Sequence, residues 1–322
     1  MKLLRMSELN SEPNLTNSPY NPHIKPKALS FPNPPNQTKT KSKKDQKISI
    51  LYFPFSSQKM PPRIPTEEDF TSLAPTLHLA TSFPSPPEST TTLLILFHGF
   101  GDSESFINFA RSMNLPCVLS IAVRGPSVLP PSLLPPSSAS SSPNHFHWGD
   151  DINLDPSTGD IDADPGFSRA KAKVLDTLIH GLLITKLGWE MDDIILFGFG
   201  QGGSFALGLA TDIANPPRLE EVGDEEVDPR TRRGALKGVV SIGGPLPPSM
   251  VSTLSGRKKS KSRALLVQVD SGDVEYAERE FESVRRVKWE RSGVDMPRKR
   301  EEMFPIMAFL AEVLRPQHSF GS

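Results

Sequence analysis

Five apolar runs constrain this chain most: Leu93 to Phe97, Val118 to Val123, Ile194 to Phe197, Val239 to Ile242 and Ala264 to Val269. They are too short for buried helices and do not alternate with polar residues. Such runs read as strands covered on both faces. Helical spacing fills the stretches around them. Glu104 to Met113 reads as a short helix, and Gly202 to Thr211 as a helix of small residues. Val174, Leu175, Leu178, Ile179, Leu182 and Leu183 form one stripe that ends before Gly188. Asp164-Pro165 ahead of it reads as an N-cap with proline at the first helical position. Tyr276 to Val284 reads as a helix, and Met303, Ile306, Met307, Leu310, Val313 and Leu314 mark a last one. Buried strands between amphipathic helices predict an α/β protein with a largely parallel sheet and helices on both faces. Ligands of such sheets bind at the carboxyl ends of strands. Those ends are His98-Gly99, Gly198 to Gly203, Gly243-Gly244 and Asp270 to Asp273.

The 322 residues suffice for one large domain, which we place at 60–316. Residues 1–59 read as a disordered extension. They are rich in Pro, Asn, Ser and Lys and hold few apolar residues to offset the entropy of ordering. Ile48 to Phe55 is the exception, with strand propensity. A transit peptide fits less well, because lysine outnumbers arginine and amphipathic periodicity is missing. Translation from Met60 is a third reading. Residues 317–322 read as a tail. Insertions are expected near 126–146, where Pro126 to Pro143 is rich in Pro and Ser, and near 215–233, which is charged. The basic run Ser255 to Arg263 reads as a solvated loop.

A net charge of −1 gives no global field for nucleic acid or an acidic membrane. No apolar run reaches the ~18 residues that span a bilayer. No apolar stretch follows Lys2 and Arg5 to make a secretory signal. The single cysteine, Cys117, excludes an intrachain disulfide and fits a reducing compartment, read as the cytoplasm. In Pro116-Cys117-Val118-Leu119 it reads as a small core residue opening a buried strand.

The run ending at Phe197 continues as Gly198-Phe199-Gly200-Gln201-Gly202-Gly203-Ser204. One match is G-x-G-x-x-G, a dinucleotide fingerprint that needs an acidic strand end about 20 residues on. Glu220 and Glu221 lie in the charged insertion instead, so this match lacks its context. The other match is the nucleophile elbow G-x-S-x-G, with Gly200 at the serine position. His98-Gly99-Phe100-Gly101-Asp102 follows a strand upstream. With the elbow it resembles the acyl-protein thioesterase, phospholipase and carboxylesterase family, which carries an HG-x-GD loop and a GFSQGG elbow. Arg124-Gly125-Pro126, Trp148-Gly149-Asp150, and Val239-Val240-Ser241 with Gly244-Pro245-Leu246-Pro247 match further segments in the family's order.

The resemblance implies the α/β-hydrolase fold and ester or thioester chemistry. That chemistry takes a serine, a histidine and an orienting acid, with backbone N–H groups holding the oxyanion. By resemblance, Phe100 and Gln201 supply those N–H groups. Gly200 occupies the nucleophile position without a side chain. Asp273 is the candidate acid, with Asp270 the alternative. Met296 occupies the histidine position in Gly293-Val294-Asp295-Met296. His98 is expected in the turn, and His98 and Trp148 are candidates for lining a pocket. The H-x-H spacing of His145 and His147 with Asp150 is not read as a metal site. No metal or cofactor is expected.

Three functions follow. The first is a non-hydrolytic member of the family, binding an acyl or ester small molecule or an acylated protein. The second is an active hydrolase using another nucleophile such as Ser204, one turn beyond Gly200. The third is an interaction protein acting through its Pro/Ser-rich loop. Neither nucleic acid nor a transmembrane segment is expected.

Overall fold

The computed structural model describes residues 62–315 apart from 102, 134–144, 153–161, 163 and 217–233. The readings made for 1–59, for the tail and for most of both insertions fall outside the described residues.

The apolar runs become strands. The strands are β1 (Leu79–Ser82), β2 (Thr92–Phe97), β3 (Val118–Val123), β4 (Ser127–Val128), β5 (Phe146–His147), β6 (Ile194–Phe199), β7 (Gly238–Ile242), β8 (Ser260–Val267) and β9 (Phe281–Val287). Seven of them form one sheet in the order β1-β3-β2-β6-β7-β8-β9. Only β1 runs antiparallel to its neighbour. β4 and β5 form a separate antiparallel ribbon. The registers Phe97↔Val123, Phe97↔Gly198, Phe199↔Ile242 and Ile242↔Val267 bring the strand ends out at one edge.

Helices α1 (Glu67–Thr71), α2 (Ser103–Met113), α3 (Ser168–Lys171), α4 (Gln201–Ala214), α5 (Ser271–Glu280) and α6 (Arg300–Val313) pack around the sheet. α3 continues as a π-helical stretch over Ala172–Lys186. The strands bury both faces because side chains alternate across a pleated sheet. Leu93, Ile95 and Phe97 join the π-helical stretch, α4 and α5 in one core. Leu94 and Leu96 join α2 and α6 in the other. Each fully buried apolar side chain contributes about 1.5–3 kcal/mol, so the strands bring both helix layers with them. Among the described residues, no helix is long and apolar enough to cross a membrane.

Four local expectations are corrected. The helix expected over Tyr276 to Val284 ends at Glu280, and Phe281–Val287 is an edge strand parallel to β8. Its more buried residues, Phe281, Val284 and Val287, stand three apart. A half-covered edge strand thus mimics helical spacing. The expected solvated loop Ser255 to Arg263 holds the start of β8. Ser260 and Ser262 are buried there, and their hydroxyls bond the Ala210 carbonyl (3.0 Å) and the Leu236 N–H (2.9 Å). Asp164 does not cap α3. Its carboxylate accepts from the Ser249 N–H (2.8 Å) and hydroxyl, while Asp150 receives the Ser168 and Arg169 N–H groups at 2.7 and 2.9 Å. Cys117 precedes β3 at φ 58° and is partly exposed, so it is not a core residue.

Phe205 on α4 is fully buried and lies 5.1 Å from both Phe97 and Trp148, ring centre to ring centre. Phe205→Ala is expected to lower stability by about 3–5 kcal/mol, read as a fall in the urea midpoint at unchanged slope.

Candidate active site

Strand β6 turns into helix α4 at Gly200, which adopts φ 53° and ψ −125°. An L side chain there is strained by roughly 1–3 kcal/mol, and glycine is not. The turn is fixed by three hydrogen bonds. The Gly200 N–H donates to the Ile242 carbonyl (2.8 Å), and its carbonyl accepts from Gly203 (2.8 Å) and Ser204 (3.1 Å). A Cβ on Gly200 would meet nothing nearer than the Gly99 Cα at 3.9 Å. The position therefore has room for a side chain that the sequence does not provide. Gly202 is the opposite case. A Cβ there would fall 2.3 Å from the His98 carbonyl oxygen and 2.4 Å from that of Phe97. Helix α4 starts this close to β2 only because residue 202 is glycine.

The end of β2 forms the facing wall. His98 is 2 % exposed. Its Nε2 accepts from the Gly125 N–H (2.9 Å), which requires the other ring nitrogen to carry the proton. Nδ1 stands 2.6 Å from the Gly99 carbonyl and donates to it. The ring thus ties the Gly99 turn to the end of β3 and is not placed as a base. Trp148 is fully buried, stacks on Phe205 at 5.1 Å and donates from Nε1 to the His98 carbonyl (2.7 Å). His98 and Trp148 therefore form the interior beneath the turn and do not line an open pocket. Their hydrogen-bonding groups are absorbed by the backbone they support.

Phe100 is exposed at the tip of this turn. Gly101, next to it, exchanges hydrogen bonds with Phe146 of β5 at 2.8 and 3.3 Å. Gln201 occupies the first position of α4, where an N–H has no partner within the helix. Its side-chain oxygen accepts from the Trp148 N–H at 2.7 Å. The Phe100 turn, β5 and the elbow are joined in this way. Motif reading missed the Gln201 side-chain link, since no local pattern announces a contact across 53 residues.

Asp273 is exposed on the first turn of α5, three residues after Asp270 at its N-cap. Partial burial, and then the Asp270 charge, raise the Asp273 pKa. Among the described residues, no cation is a cause of this shift. Met296 lies on the loop between β9 and α6. Gln268, at φ 56°, holds this loop by accepting from the Trp289 N–H (2.7 Å) and donating to the Arg291 (3.0 Å) and Gly293 (3.2 Å) carbonyls. Arg291 bonds Glu302 (2.7 Å) and the Met296 carbonyl (2.9 Å). The Arg298 N–H and then Arg291 hold the Glu302 carboxyl below its ordinary pKa. Val294 covers Gly243, filling the place of a side chain there. This packing brings the loop to the end of β7, beside the elbow. Met296 itself packs into the core shared with α6. Sequence reading had no signal for Gln268 or Arg291, whose roles depend on tertiary placement.

Ser204, the substitute nucleophile weighed above, is 1 % exposed on the inner face of α4. A cavity of about 920 Å3 opens elsewhere, lined by Asn215, Arg257, Lys258, Lys259 and Lys261 among others. It lies at the far end of α4, roughly 20 Å from Gly200 by helix rise. This cavity and the Gly200 turn lie at opposite ends of the helix.

Residues 81–219 match the family profile described as Phospholipase/Carboxylesterase. Over these residues the chain is similar to the phospholipase/carboxylesterase α/β-hydrolases. An uncharacterized hydrolase of Schizosaccharomyces pombe is 34% identical over 116 residues, which are 36% of this chain and 44% of that protein. An uncharacterized hydrolase of Mycosarcoma maydis is 29% identical over 127 residues, 38% of this chain and 43% of that protein. The chain therefore spans less than half the length of these curated relatives. The crystal structure of Zea mays acyl-protein thioesterase 2 superposes with a TM-score of 0.50 at 18% identity, covering 74% of this chain and 99% of that one. This likeness shows the α/β-hydrolase fold. The phospholipase/carboxylesterase match includes Gly200 and the Phe100 turn and ends before Asp273 and Met296.

Two glycine substitutions separate strain from crowding. Gly200→Ser is expected to cost about 1–3 kcal/mol and lower the melting temperature by several degrees. Gly202→Ala is expected to cost more than about 4 kcal/mol, because the Phe97 and His98 carbonyls must move. Thermal scans of both variants check the order.

Proposed function

We propose that this chain is a non-hydrolytic relative of the phospholipase/carboxylesterase enzymes, a pseudoenzyme that binds an acyl or ester group. The observation that carries the reading is Gly200. It has the conformation in which an elbow presents its nucleophile, and it has no side chain to present. The loop that resembles the histidine-bearing loop offers Met296, tethered through Arg291 and Glu302. Loss of a triad serine or histidine costs on the order of 10⁶ in kcat. Backbone N–H groups survive such losses, so Phe100 and Gln201 remain able to receive a carbonyl or carboxylate oxygen. The ligand class we assign is an acyl or ester small molecule or an acylated protein, met in the cytoplasm.

The full chain is expected to resist a fluorophosphonate probe and to hydrolyse short- and long-chain nitrophenyl esters at the background rate. Native mass spectrometry after lipid extraction is expected to detect a retained acyl ligand. Labelling of one serine would overturn the reading and identify a nucleophile. The double variant Gly200→Ser/Met296→His is expected to regain probe labelling by at least about tenfold, a small part of what a full triad contributes. Asp273→Asn added to that pair is expected to remove the gain, whereas Asp270→Asn is not.

A further inference from the structure

The ribbon of β4 and β5 holds a histidine that no group described above engages. His147 is 3 % exposed, and its Nδ1 is buried with no hydrogen-bond partner among the described residues. Ser127 is its cross-strand neighbour in β4. Gly125 presses on its backbone so closely that a Cβ there would fall 2.5 Å from the His147 carbonyl oxygen. Arg169, at the start of α3, repels positive charge on the ring. Asp150 lies 3.5 Å from Arg169 and is engaged at the start of α3. Arg124 stacks on the neighbouring Phe146 ring at 4.3 Å, adding a second cation to the ribbon. His145, two residues earlier, also has a buried nitrogen without a partner among the described residues.

The residues on either side of His147 hold the candidate site together. Phe146 exchanges two hydrogen bonds with Gly101, beside Phe100. The Trp148 N–H donates to the Gln201 side chain. We infer that His147 is a proton-sensitive latch, and that protonating it in mild acid releases the ribbon and with it the Phe100 turn and Gln201. The inference does not depend on which ligand the site takes.

The buried site favours the neutral ring. An imidazolium carries two N–H groups and a charge, and here the Nδ1 proton would be buried without an acceptor. Burial, and then Arg169, lower the His147 pKa. The released ribbon is hydrated, so its histidine titrates near the ordinary value of about 6.5. The closed form therefore binds fewer protons than the open one. Its advantage is complete above about pH 6.5 and falls up to tenfold per unit below it, until the depressed pKa is reached.

Hydrogen–deuterium exchange on the full chain tests this, with rates corrected for the intrinsic effect of pH. Between pH 7.5 and 5.5, peptides covering 98–101 and 145–150 are expected to lose protection by about tenfold relative to β2 and β6. His147→Gln, which cannot titrate, is expected to abolish that loss. Arg169→Gln removes a charge that disfavours the protonated ring in the closed form, so it is expected to shrink the loss at pH 5.5 without moving its onset, and gives a second readout if the first variant does not fold. Unchanged protection, an equal loss in the sheet, or a loss that persists in His147→Gln would each overturn the inference.

Discussion

The crowding between helix α4 and strand β2 governs this molecule. The carbonyl oxygens of Phe97, at the end of β2, and of His98 just beyond it stand where a side chain on residue 202 would be. Only glycine permits that approach, and the approach sets the helix against the centre of the sheet. Phe205 and Trp148 then stack beneath the turn, and the Trp148 indole donates to the carbonyl of His98. The aromatic cluster and the backbone crossing therefore support each other. Changing either would move the Gly200 turn and the Phe100 turn together.

The same arrangement explains how the geometry of the elbow persists with glycine at residue 200. An elbow stores strain at its central residue, and in an enzyme that strain is offset by packing around it. Glycine at 200 removes the strain and leaves the packing unchanged. The framework of backbone donors is built by hydrogen bonds between main-chain groups and by the Gln201 side chain, none of which needs a serine.

The parts of this fold that were legible in the sequence are those where a single cause acts. Buried strands such as Leu93 to Phe97 are apolar throughout because both faces are covered, and they read directly. The glycine string after β6 read directly as well, because crowding tolerates no alternative at Gly202. Legibility failed where two causes compete. Ser260 and Ser262 lie in a buried strand but satisfy backbone groups with their hydroxyls, so polarity hid the burial. β9 is half covered, and its three-residue spacing imitated a helix. The cap expected of Asp164 is supplied by Asp150, since a cap can come from a residue remote in sequence. At the candidate site, motif positions named candidate residues but not the ties between them. Those ties, from Gln201, Gln268 and Arg291, span distances along the chain that no local pattern encodes.

The irregular cover on β9 has a consequence for the whole sheet. It is the last strand, so its outer edge carries backbone groups that no neighbour pairs among the described residues. Such an edge can recruit a strand from another molecule and start aggregation. Glu282, Arg285 and Arg286 are exposed along it, and charges spaced this way oppose stacking of a second copy. At the other margin, β1 is only four residues long. The sheet thus ends in a charged border on one side and a truncated one on the other. Features that made β9 hard to recognise from its sequence are those that keep a seven-stranded sheet from growing an eighth.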